Sequence, residues 1–89
     1  MRKNNQPICE ADQNGTKCWF LNDHLHRENG PAVEWINGDK SWFLHGQRHR
    51  LDGPAVEWAC HKYWYYHGKY IPCDSQEEFK KLINLKALW

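Results

Sequence analysis

The apolar positions of this chain fall in short aromatic runs punctuated by glycine, proline and charged residues, a pattern of strands rather than helices. Ala32-Val33-Glu34-Trp35-Ile36 is β-branched and aromatic, and Asn37-Gly38 follows it. Asn-Gly between apolar runs signals a tight hairpin, because both central turn residues need positive φ. Residues 40–45 (Lys-Ser-Trp-Phe-Leu-His) supply the return strand. Residues 56–59 and 63–66 repeat the arrangement, with Cys60-His61-Lys62 in the expected turn. Gly30-Pro31 and Gly53-Pro54 belong at strand entrances, since proline donates nothing to a ladder. Residues 24–29 and 47–52 read as polar connectors between hairpins. Beyond Pro72 the period changes. Asp74 with Glu77 and Ser75 with Glu78 form overlapping capping boxes. Phe79, Leu82, Ile83 and Leu85 then recur at helical spacing, opposite Lys80, Lys81 and Lys86. This predicts an amphipathic helix of about three turns over 75–88. The polar segment 1–16 offers Asn14-Gly15 as a turn signal and receives no further element.

The strand pattern is a repeat. Trp19-Phe20-Leu21 returns as Trp42-Phe43-Leu44, His26-Arg27 as His49-Arg50, and Gly30-Pro31-Ala32-Val33-Glu34-Trp35 as residues 53–58. Between windows 19–35 and 42–58, eleven of seventeen positions are identical. A third copy starts at Trp64-Tyr65-Tyr66-His67-Gly68, one residue early, and then dissolves, as capping units of repeat proteins do. The expected fold is mainly β: a curved antiparallel meander of hairpin repeats over 17–71 with one C-terminal amphipathic helix, all in a single domain.

Composition sharpens this picture. Eighty-nine residues make a small core, but six Trp, four Tyr and three Phe provide unusual apolar area, about 150–250 Å² per buried ring. A net charge of +1 excludes a generic duplex-DNA binder, which needs a clearly basic face. No apolar run reaches the ~18 residues of a membrane span. The basic start Met1-Arg2-Lys3 is followed by no apolar segment, so no signal peptide is read and a cytoplasmic location is expected. Cys9, Cys18, Cys60 and Cys73 are then expected as free thiols. With no Cys-x-x-Cys and no His-x-x-x-His, neither zinc nor any cofactor is expected.

The pattern Trp-aromatic-x-x-Gly, His-Arg-x-x-Gly-Pro-Ala, Val-x-Trp resembles a variant of the MORN repeat, in versions similar to those of small phage and bacterial proteins. The resemblance covers about residues 17–71 and implies stacked hairpins in a curved sheet. It implies no single activity, since the family includes protein scaffolds and suspected lipid binders. In a phage setting it would imply action in the host cytoplasm.

Residues that both copies keep are explained first by shared architecture, and on that ground Trp19/Trp42, Val33/Val56, Trp35/Trp58 and the Gly-Pro-Ala segments are expected in the core. The His26-Arg27 and His49-Arg50 pairs admit two readings. One is a repeated buttress in which Arg27 and Arg50 reach Glu34 or Glu57; the other is a recurring anion-holding pair. Where the copies differ, Asn22-Asp23-His24-Leu25 becomes His45-Gly46-Gln47-Arg48, and His61-Lys62 replaces Gly38-Asp39. Both changes add cationic and titratable groups to the second unit. The expected ligand-binding set is therefore Trp42, His45, Arg48, His49, Arg50, His26, Arg27 and Lys62. These fit a non-catalytic binder that sequesters a small anionic, nucleotide-like ligand, with rings for stacking and cations for phosphate. A helix about 10 Å across covers only part of a sheet nearly 30 Å wide. The aromatic surface left over suggests homo-oligomerisation, or a protein-partner or inhibitor module as the alternative function. A third reading is a metal-independent phosphodiesterase with His26 and His49 as acid and base.

Overall fold

The turns dictate the architecture. In a computed structural model, residues 6–85 are described. They form β1 (Ile8–Ala11), β2 (Lys17–Leu21), β3 (His24–Leu25), β4 (Val33–Glu34), β5 (Lys40–Ser41), β6 (Phe43–Leu44), β7 (Gln47–Arg48), β8 (Val56–Trp58), β9 (His61–Tyr66), β10 (Lys69–Ile71) and α1 (Gln76–Asn84). Among the described residues the chain is mainly β, with every strand pair antiparallel and one C-terminal helix. The expected continuation of that helix through Lys86 and Leu88 lies outside the described residues, as do residues 1–5 of the basic start.

Each unit contains two hairpins, where the sequence suggested one hairpin and a connector. The first kind joins β1 to β2, β4 to β5 and β8 to β9. The second kind joins β2 to β3, β6 to β7 and β9 to β10. Its two-residue turns are Asn22-Asp23 (φ 53° and 68°), His45-Gly46 (51° and 82°) and His67-Gly68 (48° and 84°). Positive φ at both positions is the type I′ geometry that suits the twist of a two-residue hairpin. The supposed connectors 24–29 and 47–52 thus open as return strands. Asn37-Gly38 makes a different turn from the one expected: Trp35 N donates to Asp39 O at 2.9 Å across a three-residue loop, and only Gly38 (φ 98°) is left-handed. In the next unit the loop shrinks to Ala59-Cys60, so His61 and Lys62 lie on β9 rather than in the turn.

The segment before residue 17 is a partial copy of the unit. Asp12 N donates to Thr16 O and Gly15 N to Asp12 O, matching the bonds of Trp35 to Asp39 and Gly38 to Trp35. Gly15 (φ 89°) occupies the place of Gly38. β1 therefore extends the sheet, whose order is β1-β2-β4-β5-β8-β9-β10 with β3 also on β2. The β6–β7 hairpin is stitched to it by Arg27 N to Phe43 O (3.1 Å), Gly46 N to Leu25 O (2.8 Å) and Gly68 N to Arg48 O (2.7 Å).

The register sorts the side chains onto two faces. One row runs Lys17, Glu34, Lys40, Glu57, Lys62 across five neighbouring strands, alternating in sign at every step. Opposite charges directly across strands support this register, and a one-residue slip would turn the row to the other face. The adjacent row, Cys18, Val33, Ser41, Val56, Tyr63, points the other way. Val33, Ser41 and Val56 are buried in it, together with Ala32 and Ala55 just before the strands. Trp35 and Trp58 do not fill the core as expected: Trp58 is 53% exposed and Trp35 only partly buried. They end hairpin strands, so one side of each ring has no further strand to pack on.

The third unit closes against the helix. Trp64, Ile71 and Phe79 form the apolar cluster, flanked by Tyr66, Cys73, Leu82 and Ile83. Ser75 caps α1, its Oγ accepting from Glu78 N at 3.1 Å, while Glu78 Oε1 accepts from Asp74 N at 2.9 Å. Trp64 Nε1 donates to Gln76 Oε1 (2.8 Å) and Gln76 Nε2 to Leu51 O (2.7 Å), which ties the helix to two units. No helix among the described residues is long and apolar enough to cross a membrane.

Candidate ligand-binding site

The two His-Arg pairs form equivalent corners, each built by the same short-range logic. The return strand of each small hairpin leads into the histidine, whose N–H donates to a tryptophan carbonyl (His26 to Trp19 at 2.9 Å, His49 to Trp42 at 3.1 Å), and the arginine folds back over that tryptophan ring. The Arg27 Cζ lies 3.8 Å from the Trp19 ring centroid, and Arg50 Cζ 3.7 Å from that of Trp42. Arg27 Nη1 donates to Pro31 O (3.1 Å) and Glu34 Oε2 (3.3 Å). Arg50 Nη1 donates to Pro54 O (3.1 Å) and Glu57 Oε2 (3.2 Å). A glycine packs against each guanidinium: a Cβ on Gly30 would sit 3.2 Å from Arg27 Cζ, and one on Gly53 only 2.7 Å from Arg50 Cζ. These contacts realise the buttress reading of the sequence. They also use up one face of Trp42, which the sequence offered as a stacking platform.

His26 and His49 are buried, 2% and 7% exposed. Each spends Nδ1 on the next unit: His45 N donates to His26 Nδ1 at 2.9 Å, and His67 N to His49 Nδ1 at 2.8 Å. An Nδ1 that accepts must be unprotonated, so the proton of the neutral ring sits on Nε2. The His45 and His67 rings cover these histidines, with centroids 4.4 and 4.2 Å apart. Burial, seconded by His67, pushes the His49 pKa down. The third unit has Ile71 in the equivalent buried place, where no following turn needs an acceptor.

A cleft of about 610 Å³ lies between the corners, with residues 27–30 on one side and Trp42, Leu44 and residues 49–52 on the other. It gathers four of the eight expected residues: Arg27, Trp42, His49 and Arg50. His26 lines a smaller neighbouring cleft of about 220 Å³, which also includes Arg27. Arg48 is on the opposite face, exposed, with Cζ 5.5 Å from the Phe43 ring and 5.4 Å from Tyr65. His45 covers His26, and Lys62 faces Glu57 in the charge row. Neither lines the large cleft.

Sequence reasoning passed over Asn29, Leu44, Leu51 and Asp52. Asp52 matters most: Arg50 Nε donates to its Oδ1 at 2.9 Å, and this bond holds the Asp52 carboxyl below its ordinary pKa. The first unit has Asn29 in its place. That difference, two residues after an invariant arginine, was visible in the aligned copies. All four cysteines are free thiols, Cys9 and Cys60 exposed; burial raises the pKa of the two less exposed thiols, Cys18 and Cys73. Among the described residues no group of His, Cys, Asp or Glu could hold a metal ion. No protein-family model, curated protein or solved structure matches this chain.

Proposed function

We propose that this chain is a non-catalytic binding protein, a MORN-like repeat module that sequesters a small anionic ligand of nucleotide-like class in the cleft between its two His-Arg corners. The observation that carries this reading is the cleft itself. It brings a clamped arginine from each unit beside an apolar wall of Trp42, Leu44 and Leu51. Its volume of about 610 Å³ lies in the range of small-molecule sites. Both guanidiniums are held rigid before any ligand arrives, which lowers the ordering cost of binding. The phosphodiesterase reading is less well supported, because His26 and His49 are buried and commit Nδ1 to backbone bonds. Calorimetric titration with linear and cyclic nucleotides tests the proposal. One site per chain, weakening with salt, is expected; failure of every nucleotide at millimolar concentration overturns it.

A second reading is favoured by the opposite face. There His61, Tyr63, Tyr70 and Tyr65 form a chain of ring contacts at 5.6–6.4 Å that ends under Arg48. Tyr70 is itself about half exposed, as is Trp58, the cross-strand partner of His61. Exposed Trp, Tyr and Arg are what protein hot spots use, and a second copy of the chain is the simplest occupant. Sedimentation equilibrium giving a dimer that Tyr70→Ser dissociates supports this; a 10.7 kDa monomer at high micromolar concentration sinks it.

A further inference from the structure

Arg27 and Arg50 are the same residue of two units, yet their guanidiniums do not present the same chemistry. Each plane is covered on both sides. A tryptophan ring lies against one face, and the glycine backbone against the other. The position of the glycine follows from geometry, since its Cβ would be nearest the central carbon and almost equidistant from two nitrogens. Binding is therefore possible only through the edges. The Nη1 edge is used identically in both units, by a proline carbonyl and a glutamate. The Nε edge is not. In the second unit Asp52 takes it, with Oδ1 at 2.9 Å. In the first unit Asn29 stands at that position, and no acceptor among the described residues reaches Arg27 Nε or Nη2.

We propose that the Nε/Nη2 edge of Arg27, with the Asn29 amide beside it, is an oxyanion seat that receives the carboxylate or phosphate group of the ligand. The Asp52–Arg50 pair is the internal template for the contact: the same clamped fork already binds a carboxylate oxygen two residues downstream. Guanidinium N–H groups match the spacing of two oxygens on one atom, whether carbon or phosphorus. Replacing Asp by Asn removes the competing anion and adds an N–H donor. Arg27 lines both clefts, so its edge is reachable from the space between the corners. Arg50 then serves mainly as architecture. Glu28 is the opposing influence, an exposed carboxylate next to Arg27 where the second unit has Leu51. Its charge moderates affinity and favours ligands whose anionic group is strong.

The inference rests on the ligand-binding reading and narrows it to one arginine, so its test must separate the two. The ¹⁵Nε–H resonances of Arg27 and Arg50 are followed in the full chain during titration with acetate, inorganic phosphate and adenosine monophosphate. The Arg27 signal is expected to move saturably while the Arg50 signal, held by Asp52, stays. Comparison of the three probes tells a carboxylate seat from a phosphate seat. Asn29→Asp supplies the carboxylate internally and should weaken binding roughly tenfold to a hundredfold with an unchanged melting temperature. The converse variant, Asp52→Asn, should make the Arg50 signal responsive. Two outcomes overturn the seat but leave the ligand reading standing: saturable shifts elsewhere in the cleft with Arg27 silent, or Asn29→Asp binding as the parent does. No saturable shift with any probe removes both. Equal, unsaturating drift of both arginine signals means ionic screening alone, and that too overturns the seat.

Discussion

If His49 couples the units through its acceptor nitrogen, replacing it with an apolar residue of similar bulk should cost more than its packing. His49→Ile is the informative change because Ile71 fills the equivalent place in the last unit. There no turn follows; at position 49 the His67 N–H, 2.8 Å from Nδ1, would lose its acceptor. An unsatisfied, part-buried donor costs about 1–3 kcal/mol, and the lost stacking on His67 at 4.2 Å adds to it. Against a typical total stability of about 5–15 kcal/mol this is a large fraction. His49→Asn, whose amide oxygen can still accept, should lose less. Urea unfolding followed by tryptophan fluorescence measures both, with unchanged m-values confirming that the native fold is retained. The acid response gives a second readout. The folded-state pKa of His49 lies below its ordinary value of about 6.5. Above that value both states are neutral and the stability is complete. Below it the unfolded chain takes up the proton first, so stability falls by at most about 1.4 kcal/mol per pH unit until the folded pKa is passed. His49→Ile should lack this part of the slope. An Ile variant as stable as the parent, or an Asn variant less stable than Ile, refutes the coupling.

The remaining predictions follow from single contacts. Gly53→Ala places a Cβ 2.7 Å from Arg50 Cζ and must drive the guanidinium sideways out of the gap between Trp42 and the backbone, costing about 1–3 kcal/mol. Gly30→Ala, at 3.2 Å, should cost clearly less, and equal melting temperatures for the two would count against the clamp. Ala59 holds φ 50° in a two-residue loop, so Ala59→Gly should stabilise by about 0.5–1 kcal/mol, a rise of a few degrees in a thermal melt. Phe79 is fully buried under the third unit. Phe79→Ala should cost about 3–5 kcal/mol and unfold helix and sheet together by circular dichroism and fluorescence; an intact sheet melt after loss of the helix signal would show a separable cap instead.

Much of the fold was legible because its strongest devices are local. The repeat, the strand-forming runs, the helix start at Ser75 and the buried Val33 and Val56 all follow from spacing and turn chemistry. The second hairpin of each unit was missed because its turns lack a shared signature. Asn22-Asp23, His45-Gly46 and His67-Gly68 have the same φ signs with different residues. Only the second member of the last two pairs is glycine, and the histidines bear the strain because their rings pack on buried partners. β1 was missed for a related reason: Asn14-Gly15 and Lys17 stand where a copy of Asn37-Gly38 and Lys40 should, but Glu10 and Ala11 replace Val33 and Glu34. Position on the sheet edge removes the demand for an apolar residue, so the strand kept its turn and lost its pattern. At the candidate site the repeat singles out the arginines as a clamped pair, but sequence does not say which of their edges are already satisfied.

That last gap bears on how a duplicated domain can hold a function at all. Residues identical in both copies answer to the architecture, as Trp, Arg, Gly-Pro and Glu do here, and a ligand site built from them alone would occur twice. Unlike residues answer to nothing shared, but many simply meet solvent, as Arg48 and Lys62 largely do. The informative positions are unlike neighbours of like residues. Arg27 and Arg50 are clamped in the same way by Trp, Gly and Glu, so any difference in what they bind must come from what stands beside them. Two such differences occur, Asn29 for Asp52 and Glu28 for Leu51. The first alters the acceptor at a fixed hydrogen-bonding edge; the second alters only the surrounding charge. A hydrogen-bonded carboxylate blocks an edge outright, whereas a solvent-exposed one such as Glu28 is screened within about 10 Å at ordinary salt. The Asn29/Asp52 exchange should therefore govern whether the seat binds, and Glu28→Gln only how tightly: binding should strengthen severalfold at low salt and converge with the parent as salt rises. A Glu28→Gln variant that gains nothing at low salt would place the bound anion away from Arg27.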